Sequence, residues 1–117
     1  MTSIDLFRNE PDIRNYQAGQ AIFSEGDPGD FMFAVLEGQV RIEKQGRVLR
    51  TIGLGEVFGE MALIDGQPRS AGASAVSDCR VAAVPEKRFM LVVKTNPFFA
   101  IEMLRMLTER LREKSES

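Results

Sequence analysis

The sequence has 117 residues, of which 44% are hydrophobic, and its formal net charge is −2. This length is typical of one globular domain, so we expect a single domain over residues 1–117. No apolar run approaches the roughly 18 residues of a membrane-spanning helix, and no secretory signal is evident. The negative net charge argues against binding to a phosphate backbone. We therefore expect a cytoplasmic protein without direct membrane or nucleic-acid contacts.

Two residue types limit the chemistry. The chain has no histidine and one cysteine, Cys79. It therefore lacks the commonest metal ligand and general base, and it cannot form an internal disulfide or a cysteine cluster. Cys79 lies in an apolar strand pattern that favours a buried thiol. We expect no metal and no catalytic site, and a metal-dependent enzyme of the cupin type is a poor fit.

Residues 1–18 predict a short helical lead-in that Pro11 interrupts. Its apolar residues, expected to pack on the following barrel, are Ile4, Leu6, Phe7 and Ile13. The amino-acid composition changes from residue 19 to residue 84, and all ten glycines lie between Gly19 and Gly72. They separate short apolar runs, a spacing that favours an antiparallel sandwich or barrel.

The stretch 58–75, FGEMALIDGQPRSAGASA, predicts an anion site. Gly59 allows the backbone to approach a ligand closely, and the amides that open the following short helix attract negative charge. Arg69 offers a planar fork for two phosphate oxygens, and Ser70 adds a hydroxyl. Glu60 cannot favour a phosphate, so a sugar hydroxyl or the Arg69 guanidinium would suit it.

Two stretches resemble a known family. Residues 59–63, GEMAL, followed by residues 68–71, PRSA, resemble the phosphate-binding cassette of cyclic nucleotide-binding domains. These occur in regulatory subunits of cAMP-dependent protein kinase, catabolite-activator-type regulators and cyclic-nucleotide-gated channels. The stretch AGQAIFSEGDPGDFMFAVLEGQVRI resembles their opening β-roll. The resemblance covers about residues 16–114. It implies a mainly β fold, an antiparallel β-roll (a double-stranded β-helix, jelly-roll-like) with a short N-terminal helix and C-terminal helices.

The resemblance also implies a ligand and its contacts. The ligand would be cAMP, with cGMP possible; Glu60 would hold the ribose 2′-hydroxyl and Arg69 the cyclic phosphate. The other residues that the resemblance assigns to the cradle are Gly59, Met61, Ala62, Ser70 and Ala71. Gly72 departs from the threonine or serine of many members. The alternative is that Glu60 and Arg69 form only a structural ion pair in a domain that has lost its ligand.

Residues 85–117 predict C-terminal helices. Pro85 starts one that runs to Lys94, residues 95–97 break it, and residues 97–114 form an amphipathic last helix. Its predicted apolar arc contains Phe99, Met103, Leu104, Met106, Leu107 and Leu111. Arg110 and Lys114 fall inside this arc. Either the aliphatic parts of their side chains cover apolar surface, or the two residues face the ligand or a partner helix. The resemblance implies a helix that lines the purine and forms a dimer interface, with Arg110 near the ligand.

Three functions remain open from the sequence. The leading one is a stand-alone cyclic nucleotide sensor that couples ligand binding to movement of its C-terminal helix. The second is a ligand-free β-roll module that pairs with another copy or another protein through that helix. The third is a fragment of a catabolite-activator-type transcription regulator that lacks its DNA-binding domain.

Overall fold

The computed structural model describes residues 6–116, and the side chains of residues 6–112. The chain forms two compact units, Met1–Glu86 and Lys87–Ser117. Residues 1–5, which include Ile4 of the predicted lead-in, lie outside the described residues. The interpretation of residues 1–117 as a single domain stays a prediction.

In the described residues, the first unit consists mainly of short strands, and a short helix lies between the sixth and the seventh strand. In chain order its described elements are β1 (Ile13–Tyr16), β2 (Ala21–Phe23), β3 (Phe31–Glu37), β4 (Val40–Lys44), β5 (Arg47–Ile52), β6 (Val57–Phe58), α1 (Met61–Asp65), β7 (Gly72–Ala75) and β8 (Cys79–Pro85). The strands form two sheets, in the orders β1-β8-β3-β6 and β2-β7-β4-β5. All strand pairs are antiparallel.

The core lies between the two sheets because alternate side chains of each strand point to the same face. Its buried members come from strands of both sheets: Phe33, Val35, Val40, Ile52, Phe58, Ala73, Ala75, Cys79, Val81 and Ala83. This is the antiparallel β-roll that the resemblance implied, so the predicted fold class is confirmed. The Cys79 thiol is free and buried, as its apolar surroundings in the sequence predicted.

The N-terminal segment differs from the prediction. Residues 6 and 7 are helical, but Ile13–Tyr16 forms β1, so the interpretation of 1–18 as a helical lead-in was wrong for these four residues. The partner strand is distant in sequence, since Ile13 pairs with Ala82. A segment of four residues is too short to show a helical or a strand periodicity. Its conformation is set by pairing with the edge of β8.

The second unit contains α3 (Pro97–Glu116) and all but the first residue of α2 (Glu86–Thr95). The break between them falls where it was predicted, and Asn96 caps α3 because the Phe99 amide donates to its Oδ1 at 3.1 Å. The Phe89 ring lies edge-on to the Phe99 ring, with centroids 6.2 Å apart. No helix among residues 6–116 is both long enough and apolar enough to cross a bilayer.

The predicted apolar arc of α3 divides into two parts. Phe99 and Met103 are buried, whereas Leu104 is 60% exposed and Leu111 is 67% exposed. Ile101, on the same side as Leu104, is 44% exposed. These three residues leave an exposed apolar stripe along α3, which we call the α3 stripe.

Candidate functional site

The segment 58–75 connects the two sheets and is bounded by β6 and β7. Gly59 follows the end of β6 with φ +80°, a conformation that glycine adopts without penalty. The short helix α1 follows and ends before Gly66, which has φ +70° and donates its N–H to the Ala62 carbonyl at 3.0 Å. The two glycines therefore set where the predicted short helix begins and ends.

Arg69 lies in a seat made by three groups. Its side chain is buried, with only 6% of the residue exposed. Nη1 donates to the Gly59 carbonyl at 2.6 Å, and Nη2 donates to the Phe31 carbonyl at 2.6 Å. The guanidinium carbon lies 4.1 Å from the centroid of the Phe23 ring. We call these two carbonyls and this ring the Arg69 seat, and together they hold the guanidinium in one orientation.

One nitrogen of Arg69 is not used by the seat. Within the described part of the chain, Nε is buried and has no hydrogen-bond partner. An unsatisfied buried donor costs about 1–3 kcal/mol, so an acceptor supplied by a ligand would be favoured there. A Cβ added at Gly29 would lie 3.3 Å from Nε and would overlap the Ala62 Cβ, so the Gly29 backbone approaches this edge of the guanidinium only because it carries no side chain.

The charge of Arg69 is met by carboxylates acting through space. Burial lowers the pKa of the Arg69 guanidinium, and attraction to Asp30, Glu60 and Asp27 opposes that effect. Arginine remains protonated at neutral pH in proteins, so the site keeps a fixed positive charge. Its two hydrogen bonds go to uncharged carbonyls. An anion that reached the guanidinium would therefore gain an attraction between opposite charges that the two neutral carbonyls of the seat do not supply.

Glu60 is the second buried charged residue of the segment, with 1% of its surface exposed. It immediately precedes α1 and has helical backbone angles, φ −73° and ψ −28°. Its carbonyl accepts from the amides of Leu63 and Ile64 at 3.1 and 3.2 Å. Glu60 thus follows directly after Gly59, whose carbonyl accepts from Arg69, and its carboxylate attracts the guanidinium. Their role as ligand contacts stays a prediction.

The turn that contains residues 24–30 is a further wall of the site. The Gly26 amide donates to the Arg69 carbonyl and the Arg69 amide donates to the Asp27 carbonyl, both at 2.8 Å. A Cβ added at Gly29 would lie 2.1 Å from the Ala62 Cβ, so the turn packs directly against α1. From the sequence this turn was only a break between strands. No local signal indicates that it pairs with a segment some 40 residues away.

The remaining predicted site residues differ in their solvent exposure. Met61 is 49% exposed, Ala62 is buried, Ser70 is exposed and Ala71 is partly buried. Arg110 is partly buried on α3, in the second compact unit. Nothing in these placements assigns a ligand contact to any of the five, and they stay predictions.

The aromatic groups around Arg69 were missed by sequence reasoning. The Phe23 ring centroid lies 5.9 Å from that of Phe33 and 6.1 Å from that of Phe58, and the Phe33 and Phe58 centroids are 5.2 Å apart. In the sequence these phenylalanines are ordinary members of apolar strand patterns. Only the pairing of strands from both sheets places a ring face against a guanidinium.

Comparison with known protein families supports the same assignment for the cassette and the β-roll. The sequence profile of the cyclic nucleotide-binding domain matches residues 13–96, which is more than half of the 117 residues. The chain therefore belongs to the cyclic nucleotide-binding domain family.

Individual relatives give the same assignment. The cyclic AMP receptor protein of Thermus thermophilus is 36% identical over 115 residues, which are 94% of this chain and 53% of the receptor. The crystal structure of the Thermus thermophilus catabolite activator protein has 35% identity and a TM-score of 0.83, and covers 97% of this chain and 55% of that one. The chain thus spans about half the length of both.

A third relative has been solved with two different cyclic nucleotides. The cAMP-bound form of the EAL enzyme Bd1971 is 39% identical, with a TM-score of 0.67, and covers 89% of this chain and 29% of that one. The cGMP-bound form is 38% identical, also with a TM-score of 0.67, and covers 86% of this chain and 28% of that one. An enzyme that contains a region similar to this chain has therefore been solved with either nucleotide bound.

Proposed function

We propose that this chain binds a cyclic nucleotide, cAMP or cGMP, and acts as a sensor without catalysing a reaction. Arg69 would meet the cyclic phosphate and Glu60 the ribose 2′-hydroxyl. The cassette residues Gly59, Met61, Ala62, Ser70 and Ala71 would complete the cradle, and Arg110 would lie near the purine. The 117 residues are proposed to suffice for binding. The single buried thiol suits a reducing compartment, so we propose a cytoplasmic location.

The observation that carries this proposal is the state of the Arg69 guanidinium. It is nearly inaccessible, and its two hydrogen bonds go to neutral carbonyls. Its Nε has no partner among the described residues. A structural ion pair alone would direct the guanidinium at a carboxylate, whereas this arrangement leaves Nε without an acceptor among the described residues. A phosphate monoester has the charge and the oxygen geometry that a guanidinium fork matches.

We further propose that ligand binding is coupled to α3. The α3 stripe supports this, because exposed apolar residues on one side of a helix favour a partner surface. Its members Ile101, Leu104 and Leu111 are spaced by three and seven residues, which matches a helix-pairing repeat. Pairing of α3 with α3 of a second copy is the proposed readout. The stripe also favours the second candidate, a module that pairs through α3 whether or not a nucleotide is bound.

Calorimetric titration tests the binding proposal directly. The chain is titrated with cAMP, with cGMP and with 5′-AMP, which has the same base but an open phosphate. We expect heat from at least one cyclic nucleotide and loss of most of the affinity in Arg69→Ala, since a hydrogen bond to a charged group contributes about 1.5–3 kcal/mol. Arg14→Ala is the matched control, because the Arg14 guanidinium also stacks on a phenylalanine, 4.6 Å from the Phe31 centroid, but is held by Asp12.

The outcomes separate the candidates. No heat from either cyclic nucleotide in the intact chain refutes the sensor proposal. Equal losses in Arg69→Ala and Arg14→Ala refute the role of Arg69. Light scattering with and without nucleotide then tests coupling: a mass that changes with nucleotide supports the sensor, and a dimer that ignores nucleotide supports the pairing module.

A further inference from the structure

We propose that Phe23 is a positioning residue for nucleotide binding, because its ring holds the Arg69 guanidinium in the orientation in which the cyclic phosphate meets it. This inference rests on the proposed function and assigns a role to a residue that the cassette motif does not include. Phe23 lies on β2, outside the segment 58–75.

The geometry of the Arg69 seat gives the ring a task that the carbonyls cannot perform. The Gly59 and Phe31 carbonyls, each 2.6 Å from a terminal nitrogen, fix two points of the guanidinium plane. The plane can still turn about the line that joins those two points. The Phe23 ring, 4.1 Å from the guanidinium carbon, blocks that rotation from one face. With the ring in place, Nε has a defined direction.

The ring is itself held in place by the core. Its neighbours are Phe33 on β3 and Phe58 on β6, with ring centroids 5.9 and 6.1 Å away. Phe23 belongs to one sheet and these two residues belong to the other, so the seat exists only when both sheets are packed. A guanidinium that is already oriented loses less conformational freedom when it binds an anion.

The chain contains a matched comparison for this contact. The Phe31 ring lies under the Arg14 guanidinium, 4.6 Å from its carbon, and not under Arg69. Arg14 is oriented separately by two hydrogen bonds to the Asp12 carboxylate, at 3.1 and 2.9 Å. Arg14→Leu therefore removes an arginine–phenylalanine contact of the same kind without changing a residue of the Arg69 seat.

The test compares Phe23→Leu, Phe23→Tyr and Arg14→Leu by calorimetric titration with cAMP and cGMP. We expect Phe23→Leu to weaken binding about threefold to thirtyfold, the range for a cation–π contact at a partly desolvated site. Phe23→Tyr keeps an aromatic face and is expected to bind like the wild type, and Arg14→Leu is expected to change affinity less than twofold. The Arg69 Nε–Hε resonance should shift in Phe23→Leu and remain in place in Arg14→Leu, with or without nucleotide.

The results separate this inference from the proposed function. A wild-type chain that binds neither nucleotide refutes the proposed function. Binding by the wild type with unchanged affinity in Phe23→Leu refutes only the positioning role. Equal losses in Phe23→Leu and Arg14→Leu also refute it, because they indicate an effect that is not specific to the Arg69 seat. Thermal unfolding checks that each variant is folded, and Phe23→Met replaces Phe23→Leu if the latter is not, with the same expected loss.

Discussion

Replacing Gly59 by alanine tests whether the backbone of the cassette positions Arg69. Gly59 has φ +80°, and a Cβ built on it lies 2.8 Å from Nη1 of Arg69. The left-handed conformation costs an alanine about 1–2 kcal/mol. The Cβ also pushes the guanidinium away from the Gly59 carbonyl, and the hydrogen bond lost there contributes about 1.5–3 kcal/mol. We expect Gly59→Ala to lower the free energy of unfolding by roughly the sum, about 2.5–5 kcal/mol.

Gly66→Ala is the matched control for this prediction. Gly66 also has a left-handed φ, +70°, but a Cβ there meets nothing within 4 Å. Gly66→Ala should therefore cost only the backbone strain of about 1–2 kcal/mol. The difference between the two variants isolates the contact with Arg69. Urea unfolding measures both stabilities, and titration with cAMP and cGMP measures both affinities.

The result that would refute this reasoning is equal behaviour of the two glycine variants. If Gly59→Ala and Gly66→Ala lose the same stability and bind nucleotide equally well, the Gly59 backbone does not position Arg69. A large loss of affinity confined to Gly59→Ala is the expected result. It would connect a positive φ in the cassette to the orientation of the buried guanidinium.

Three further predictions concern residues outside the cassette. Hydrogen bonds from Arg14 lower the pKa of the Asp12 carboxyl. This pair therefore stabilises the fold above the ordinary pKa of Asp12, and the stabilisation is lost as the pH falls through the lowered pKa. Between about pH 5 and 2, the free energy of unfolding should fall more steeply in the wild type than in Asp12→Asn. Burial, and the Asp78 carboxylate, raise the pKa of the Cys79 thiol. A thiol reagent should therefore react with Cys79 only after unfolding. The contribution of the neutral thiol to stability should be lost as the pH rises through the raised pKa. Gly38→Ala should prevent folding or cost more than about 3 kcal/mol, because a Cβ there would lie 2.4 Å from the Asp78 carbonyl; circular dichroism decides this, and an unchanged unfolding temperature would contradict it.

The local features of the chain could be predicted from its sequence. Glycine positions indicate where the backbone turns, and Gly46, Gly59 and Gly66 have the positive φ that such residues favour. The break at Asn96 follows from the preference of its side chain for a helix start and from the proline after it. The cassette motif identified the segment that holds Arg69. These features depend on residues close together in sequence, so a linear pattern contains them.

The long-range features were decided only by the tertiary structure. Phe31 lies 38 residues before Arg69, and its carbonyl accepts from Arg69 only because β3 runs past the cassette. The ring of Phe23 faces the same guanidinium from the other sheet. Strand β1 forms because the edge of β8 is free to pair with it. An amino-acid pattern records the side chains on each segment, but not which distant backbone group will satisfy a buried donor, because packing of the two sheets makes that choice.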